Sequence, residues 1–323
     1  MTPHRFRLPI VALCLACSAA WAQTSRIPVR IIAGFPPGGN VDLIARLLAD
    51  RLGDALGRPV VVENRPGAGG QIGLEALKAA APDGNTLAVT PDASLIVRPL
   101  TMKTPPYDPV NDFTAVAHTG GQDYAFAIGA GLPAKNLREF ADWARSHPDG
   151  ANFGSAGQGG ATHFLGLLIG NAIGVPLRQV PYKGSGPGVM ALVAGQISAT
   201  VQPIGTLVTQ AQAGKVRIVA TSGSERAPGF PDVPTLAQLG YPALAISNWF
   251  GVFAPAHTPP ELVSRYNRIL IQAMRTPAIK DKLNYLLLEV KELTPEQFAS
   301  VVKTDYQRWA PVIKTSGFSI DSQ

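Results

Sequence analysis

Apolar residues along this chain alternate between short β-rich runs and longer stretches with helical spacing. The first β-rich run spans residues 28–33 (PVRIIA), and further runs lie at 59–63 and 86–90. After the first run, apolar residues recur at the spacing of one helix face: Leu43, Ile44, Leu47, Leu48 and Leu52. A second, alanine-rich helical stretch follows at 71–81. This β-α-β-α-β order predicts a parallel sheet with helices on its faces.

The middle of the chain repeats the alternation. Two apolar runs at 113–118 and 124–128 are separated by the turn sequence Thr-Gly-Gly. Further strands with helices between them are predicted at 152–154, 179–182, 197–202 and 216–221. The pattern therefore predicts a second α/β unit.

Glycine-rich turns at the two ends of this second unit predict how the units are connected. A chain that leaves one lobe and later returns to it produces two α/β lobes with a cleft between them. We assign residues 23–121 plus 223–323 to lobe 1 and residues 122–222 to lobe 2. Ligands of such sheets bind beyond the carboxyl ends of the strands, and domain interfaces are common ligand sites.

One glycine-rich loop in each lobe joins a predicted strand to a predicted helix. These loops read GFPPGGN at 34–40 and GSAGQGGATH at 154–163. Glycine removes the Cβ atom that keeps a ligand away from the backbone. We expect the amides of Gly38, Gly39 and Asn40 to point outward at the positive end of the helix dipole, where a small anion is stabilised.

The presence of one such loop in each lobe predicts the kind of ligand, which neither loop predicts alone. Facing each other across a cleft, they would bind a ligand that carries a carboxylate at each end, with hydroxyl donors from Ser155 and Thr162. Such a ligand would drive closure of the lobes, because only the closed state satisfies both sets of donors. The alternative interpretation is that both loops are ordinary tight turns.

The first 22 residues predict a cleaved secretory signal peptide. A basic start and an apolar run precede the small-x-small sequence AWA at 20–22. The apolar run is too short for a membrane anchor. Both cysteines of the chain, Cys14 and Cys17, lie inside this segment. A mature chain without thiols suits the periplasm and excludes cysteine nucleophiles and thiolate metal sites.

Composition excludes several classes of protein. With 46% hydrophobic and 15% charged residues, the 323-residue chain is globular. The formal net charge of +6 includes two arginines of the signal peptide, so the mature chain is only mildly basic. Basic runs are absent from the sequence, which argues against nucleic acid as a partner.

Enzyme signatures are incomplete in this sequence. The nucleophile elbow and the P-loop are absent, and the glycine-rich stretch 67–72 misses the dinucleotide fingerprint at its last position. The five histidines lack metal-ligand spacing, so we expect neither a metal nor a cofactor. A hydrolase or isomerase would have to use Ser155, His163 or Lys183. His163, at a helix start, is interpreted as a capping or packing residue rather than a catalyst.

The motifs of the mature chain resemble one family. GFPPGGN, NRPGAGG, FGSAGQGGATH, VPYKGSGPG and WFGVFAPAHTPPE occur in the order found in the tripartite tricarboxylate transporter solute-binding proteins, the Bug-type extracytoplasmic receptors. The resemblance covers essentially the whole mature chain. It implies a type II periplasmic-binding-protein fold, an α/β fold of two lobes with mixed sheets around a central ligand cleft. It also implies a monomeric periplasmic receptor that captures a small carboxylate for a membrane transporter, without catalysis or cofactor.

The resemblance also implies a set of ligand-binding residues. In the family, backbone amides and ordered waters hold a carboxylate at the two glycine-rich loops, and two further segments add contacts. Carried onto this sequence, the set is Phe35, Pro36, Pro37, Gly38, Gly39, Asn40, Ser94, Gly154, Ser155, Ala156, Gly157, Thr162, His163, Tyr182, Lys183, Gly184, Gln202 and Pro203.

The chain departs from the family pattern at two places. Gln202-Pro203 stands where family members usually carry Asp-Asn, and residues 93–96 (ASLI) replace a segment that usually contains histidine. We therefore expect the distal end of the ligand to be more neutral or apolar than that of aspartate or citrate. Two alternative functions stay open, a receptor that signals through a membrane sensor kinase and a secreted hydrolase or isomerase.

Overall fold

A computed structural model of the chain describes residues 27–182 and 184–322. The predicted signal peptide and Lys183 lie outside the described residues. The strands are β1 Val29–Ala33, β2 Val60–Asn64, β3 Thr86–Pro91, β4 Phe113–Gly129, β5 Asn152–Ser155, β6 Arg178–Pro181, β7 Ala199–Pro203, β8 Val216–Thr221 and β9 Ser247–Pro255. The main helices are α1 Asn40–Leu56, α2 Gln71–Lys78, α3 Leu137–Ser146, α4 Ala161–Ala172, α5 Ser185–Val193, α6 Val208–Gln212, α7 Pro260–Arg275, α8 Pro277–Tyr285 and α9 Pro295–Ser316.

The strands form a mixed sheet in the order β2-β1-β3-β9-β4-β7-β5-β6, with β8 paired to β4. In the first half, β1 is parallel to β2 and β3, as the βα pattern predicts. In the second half, β5 is parallel to β6 and β7. The antiparallel strands β9 and β4 lie between these two parallel groups. The two groups therefore correspond to the two α/β lobes.

Strand β4 connects the two halves of the sheet. Its residues 113–123 pair with β9, whereas residues 124–129 pair with β7 and β8. The sequence pattern predicts two runs broken by a turn at 119–121, but the structure shows one strand of 17 residues. The register shifts between His118 and Gly120, so the glycines produce a β-bulge instead of a turn.

Apolar clusters cover both faces of the sheet. One joins β1 to α1 and α7, and a second joins the middle of β4 to α3, α4 and α9. A third, smaller cluster lies between β4, α5 and α6, and it includes Ala227 near the predicted lobe boundary. No helix among the described residues is long and apolar enough to cross a membrane.

Side-chain caps begin two of the helices. The side chain of Asn136 caps α3 by accepting a hydrogen bond of 2.9 Å from the Glu139 amide. Pro295 opens α9 at its first helical position, where the missing amide hydrogen of proline does no harm. Thr294 and Gln297 add a full capping box there.

Candidate functional site

The loop between β1 and α1 ends in a helix whose N-terminus has no side-chain cap. Gly39 is the N-cap residue, with an extended backbone (φ −81°, ψ 168°). The first amides of a helix have no partner within the helix. Where a side chain does not cap them, they are available to an anion, which the helix dipole also favours. The loop therefore has the predicted geometry of an anion site.

The loop between β5 and α4 has the same geometry in the other half of the sheet. Gly160 is the N-cap residue of α4, again extended (φ −92°, ψ 171°) and again without a side-chain cap. A Cβ atom added at Gly157 would meet no atom within 4 Å, and the same is true at Gly38. Both loops thus face open space, where a ligand can approach the backbone.

A matched hydrogen bond holds each loop. The Gly38 amide donates to Asp42 Oδ2 at 2.9 Å, and the Gly159 amide donates to His163 Nδ1 at 3.1 Å. In both cases the donor precedes the N-cap glycine and the acceptor occupies the third helical position. In this structure the Gly38 amide donates to Asp42 rather than pointing outward, and a contact between Gly38 and a ligand stays a prediction. The uncapped amides at the start of each helix remain for a ligand.

Asp42 is buried and fully hydrogen-bonded. Besides Gly38, it accepts from Arg46 Nε at 3.0 Å and from Asn64 Nδ2 at 2.8 Å. The hydrogen bond from Arg46, helped by those from the Gly38 amide and Asn64, lowers the pKa of Asp42 to about 2. Asn64 also donates to the Phe35 carbonyl at 3.0 Å. The carboxylate is therefore neutralised locally and supports the loop.

His163 has a different electrostatic character. Because the Gly159 N–H donates to Nδ1, the ring carries its hydrogen on Nε2. Its ring stacks on Phe164 and meets the edge of Phe318. Burial lowers the pKa of His163 below its usual value of 6.5. His163 is thus a neutral capping residue at neutral pH, in agreement with its interpretation from the sequence.

Phe35 and Ser94 come together beside a third glycine-rich turn. A Cβ atom at Gly70 would lie 2.7 Å from Ser94 Oγ and 3.0 Å from Phe35 Cε2. Ser94 Oγ donates to the Gly69 carbonyl at 2.7 Å. This turn was not among the predicted ligand-binding residues, although the glycine criterion that identified the other two loops also applies to NRPGAGG.

The hydroxyl groups of lobe 2 support its loop. Ser155 Oγ donates to the Gly157 carbonyl at 3.0 Å and accepts from Gln179 Nε2 at 2.7 Å. Thr162 Oγ1 accepts from the Ala156 amide at 3.0 Å. Ser155 is completely buried. In this structure the Ser155 hydroxyl hydrogen is used inside the loop, and a contact between this group and a ligand stays a prediction.

Tyr182 and Gln202 meet beneath α5. A Cβ atom at Gly188 would lie 2.9 Å from Gln202 Nε2 and 3.4 Å from Tyr182 Cδ2. Gln202 is completely buried, and its Nε2 donates to Thr200 Oγ1 at 3.0 Å, while its Oε1 has no partner among the described residues. Gln202 is therefore part of the buried contact between β7 and α5 in lobe 2.

The other predicted residues of this region lie beside these contacts. The Gly184 amide donates to the Ala156 carbonyl at 3.1 Å, which ties the 182–184 segment to the β5–α4 loop. Pro203 ends β7 opposite Tyr124. Lys183 lies outside the described residues.

The C-terminal segment connects the lobe 2 loop to the other half of the molecule. A Cβ atom at Gly159 would lie 2.6 Å from Phe318 Cε1. Two residues later, the Ile320 amide donates to the Thr101 carbonyl at 2.9 Å. The β5–α4 loop and the chain that follows β3 are therefore linked through residues 318–320.

A cavity of about 670 Å³ lies beside the middle of β4, and none of the predicted ligand-binding residues lines it. Its wall includes Asp123, Trp249 and Asp305. Burial raises the pKa of both carboxyl groups. The cavity borders the strand that joins the two halves of the sheet, away from the two glycine-rich loops in sequence.

Among the described residues of the site, Ser155 and His163 are the two candidates for nucleophilic catalysis. Ser155 is bonded to Gln179 and Gly157, whereas His163 is bonded to Gly159, so these two side chains do not form a nucleophile–base pair. Among the residues that the structure describes, no group of three or more His, Cys, Asp or Glu side chains could hold a metal ion.

The two-lobe sheet, with an uncapped helix N-terminus in each half, defines the class of two-lobe solute-binding proteins. The family model described as "Tripartite tricarboxylate transporter family receptor" matches residues 44–318. The chain belongs to this family, as its motifs indicate.

Individual relatives agree with this assignment. Protein BugT of Bordetella pertussis is 34% identical over 291 residues, which cover 90% of this chain and 89% of BugT. MatC from Rhodopseudomonas palustris, solved with bound malate, is 32% identical with a TM-score of 0.72, covering 88% of this chain and 98% of that one. Another R. palustris protein, solved with adipate, is 28% identical with a TM-score of 0.75, covering 90% and 98%.

Proposed function

We propose that this protein is a periplasmic receptor that captures a small carboxylate, most simply a dicarboxylate, and delivers it to a membrane transporter of the tripartite tricarboxylate type. The matched loops carry the proposal, because each presents an uncapped helix N-terminus to open space. The relatives solved with malate and adipate support this ligand class. Residues 35–40, Ser94, 154–157 and the 182–184 and 202–203 segments form the proposed site.

The proposal includes the lobe boundaries and the mode of binding. Strand β4 changes partners between Asp123 and Tyr124, which supports a boundary close to residues 121 and 122. Each loop would hold one carboxylate, so a dicarboxylate would bridge the lobes. The receptor is proposed to act as a monomer, because one chain supplies both loops.

Isothermal titration tests the ligand class. We expect saturable binding of one molecule of malate, succinate or adipate per chain, and no binding of adipamide, which has the shape of adipate without its charges. The amides at a helix N-terminus favour an anion over a neutral group. Absence of saturable binding across a wide carboxylate panel would contradict the proposal, and so would equal binding of adipamide.

Two further experiments separate the proposed function from its alternatives. Mass spectrometry of ligand released from natively purified protein tests catalysis, since a receptor returns its ligand chemically unchanged. If a large multi-spanning membrane protein is encoded beside this gene, its deletion tests the partner. Transport of the identified ligand should stop, whereas a transcriptional response without any transport defect would point to a sensor kinase.

A further inference from the structure

Each glycine-rich loop is held by one side chain at the third position of its own helix. Asp42 occupies this position in α1, and His163 occupies it in α4. The glycine that donates the hydrogen bond has a left-handed backbone in both loops, with φ +86° at Gly38 and φ +72° at Gly159. The sequences GGNVD and GGATH therefore encode the same device in the two lobes.

This hydrogen bond determines where the free amides point. The donating glycine comes directly before the extended N-cap residue, and its left-handed backbone is a conformation that glycine adopts without steric cost. Fixing its amide to the third helical residue fixes the direction in which the chain enters the helix. The uncapped amides of the first turn are then held in place before a ligand arrives, which lowers the entropic cost of binding.

We propose that Asp42 and His163 are the positioning residues of the two carboxylate-binding loops, and that protonation of His163 releases the lobe 2 loop and weakens ligand binding in acid. This inference rests on the proposed function, because it concerns the same site. It adds that the two lobes hold their carboxylates by equivalent hydrogen bonds, of which only the one in lobe 2 is lost in mild acid.

The two loops differ in their response to pH because their hydrogen-bond acceptors differ. The pKa of Asp42 is lowered to about 2, so this carboxylate stays ionised at any physiological pH. An imidazole titrates in the physiological range, and burial moves the pKa of His163 below 6.5. A proton on Nδ1 would face the Gly159 N–H, so that two donors would oppose each other. The loop would then have to move, and binding of a carboxylate would favour the neutral ring.

The surroundings of His163 support this direction. Three segments pack against the ring: the loop through Gly159, α4 through Phe164, and the C-terminal segment through Phe318. None of these residues ionises. In the C-terminal segment, Asp321 accepts from the Lys103 amide at 2.7 Å. Burial is the cause of the shift in the pKa of His163, with no charged partner among the described residues.

The test compares three variants in adipate titrations at about pH 7.5 and about pH 4.5, since burial lowers the pKa of His163 and the acid measurement must lie well below the usual histidine value. His163→Leu removes the acceptor and should weaken binding about tenfold at the higher pH, with little further loss in acid. His163→Asn places an amide oxygen near the position of Nδ1 without a titrating group. It should recover most of the affinity lost in the Leu variant, and its affinity should change less with pH than that of the wild type.

His147 provides the matched control. It is an exposed histidine of lobe 2 at the end of α3, stacked on Trp143. His147→Asn should keep the pH profile of the wild type. Adipate titrates identically in every arm, so its own protonation cancels when the variants are compared. Thermal unfolding of each variant at both pH values identifies any general loss of the fold.

The outcomes separate the two hypotheses. If the wild type binds no carboxylate at either pH, the proposed function fails. If the wild type binds but shows the same pH dependence as His163→Asn, the function stands and the positioning role of His163 is refuted. Tighter binding of the wild type in acid would also refute it, because that result would mean that an imidazolium attracts the ligand directly.

Discussion

Gly39 and Gly160 are the residues at which a single added side chain tests the site most cleanly. Both have an ordinary extended backbone, and a Cβ atom at either would meet only one backbone oxygen, at 3.8 and 3.9 Å. Gly39→Val and Gly160→Val should therefore fold, yet place a branched side chain where the carboxylate approaches the backbone. We expect each to weaken adipate binding at least tenfold in isothermal titration.

Gly131→Val is the control for these two variants. An added Cβ atom at Gly131 meets nothing within 4 Å, and this residue lies in the turn after β4, outside the proposed site. Its affinity and melting temperature should match those of the wild type. If Gly39→Val and Gly160→Val also bind like the wild type, the two loops are not the carboxylate site.

Asp42 gives the fold a predictable response to acid. Its pKa is about 2 in the folded chain and about 3.8 as a free side chain, so the ionised form is favoured by folding. That shift corresponds to about 2 kcal/mol of stability, which is present above pH 4 and is lost as the pH falls from about 4 to about 2. In urea unfolding, Asp42→Asn should be less stable than the wild type at neutral pH, and the difference should shrink in acid. A constant difference would contradict this role.

At the scale of elements, α4 packs unusually close to β5 because Gly166 has no side chain. A Cβ atom there would lie 2.0 Å from Phe153 Cε2. Alanine normally stabilises a helix interior by about 1 kcal/mol relative to glycine, but here the clash with a buried ring dominates. Gly166→Ala should lower the free energy of unfolding by about 1–3 kcal/mol and, since α4 carries the lobe 2 loop, should also weaken ligand binding.

Gly53→Ala in α1 is the matched control. Its added Cβ atom would make ordinary contacts, the nearest at 3.4 Å from the Arg58 carbonyl oxygen. Helix propensity should then decide the sign of the change in the free energy of unfolding. The variant should be as stable as the wild type or slightly more stable. Equal destabilisation by both substitutions would show that packing against Phe153 is not the cause.

The elements also show what the sequence could and could not predict. Hydrophobic periodicity located the βα units, because burial on one face imposes a period that can be read along the chain. It failed at Thr119-Gly120-Gly121, where the glycines produce a bulge within β4. The continuous strand forms there because residues 247–255, which are distant in sequence, pair with it. Local composition carries no information about that pairing.

In the site, residue type predicted the loops but not the partners inside them. The Gly-Gly pairs identified both helix N-termini, since a backbone that approaches a ligand must be free of side chains. The roles of Asp42 and Ser155 depended on which donors the fold places within about 3 Å, and two of those donors, Asn64 and Gln179, lie more than 20 residues away in sequence. The repeated spacing GG-x-x-Asp and GG-x-x-His was visible in the sequence, and comparing the two loops position by position would have found it.

At the scale of the whole molecule, the proposed bridging ligand predicts compaction. Only an arrangement in which both loops contact the same dicarboxylate satisfies both sets of amides, so the ligand shifts the population towards closed lobes. Small-angle scattering should show a smaller radius of gyration with adipate than without it. The Gly160→Val variant should keep the larger radius under the same conditions, and an unchanged radius in the ligand-saturated wild type would contradict closure.

The course of β4 limits how such a closure can occur. The strand is hydrogen-bonded to β9 along one part of its length and to β7 and β8 along the rest. The two lobes are therefore connected by one continuous, hydrogen-bonded strand rather than by a flexible linker. We expect closure of the lobes to change the twist of this strand. This elastic work costs the same free energy for every ligand that closes the lobes. Changing the stiffness near the Gly120 bulge would then retune the response to every guest at once, without altering which guest is preferred.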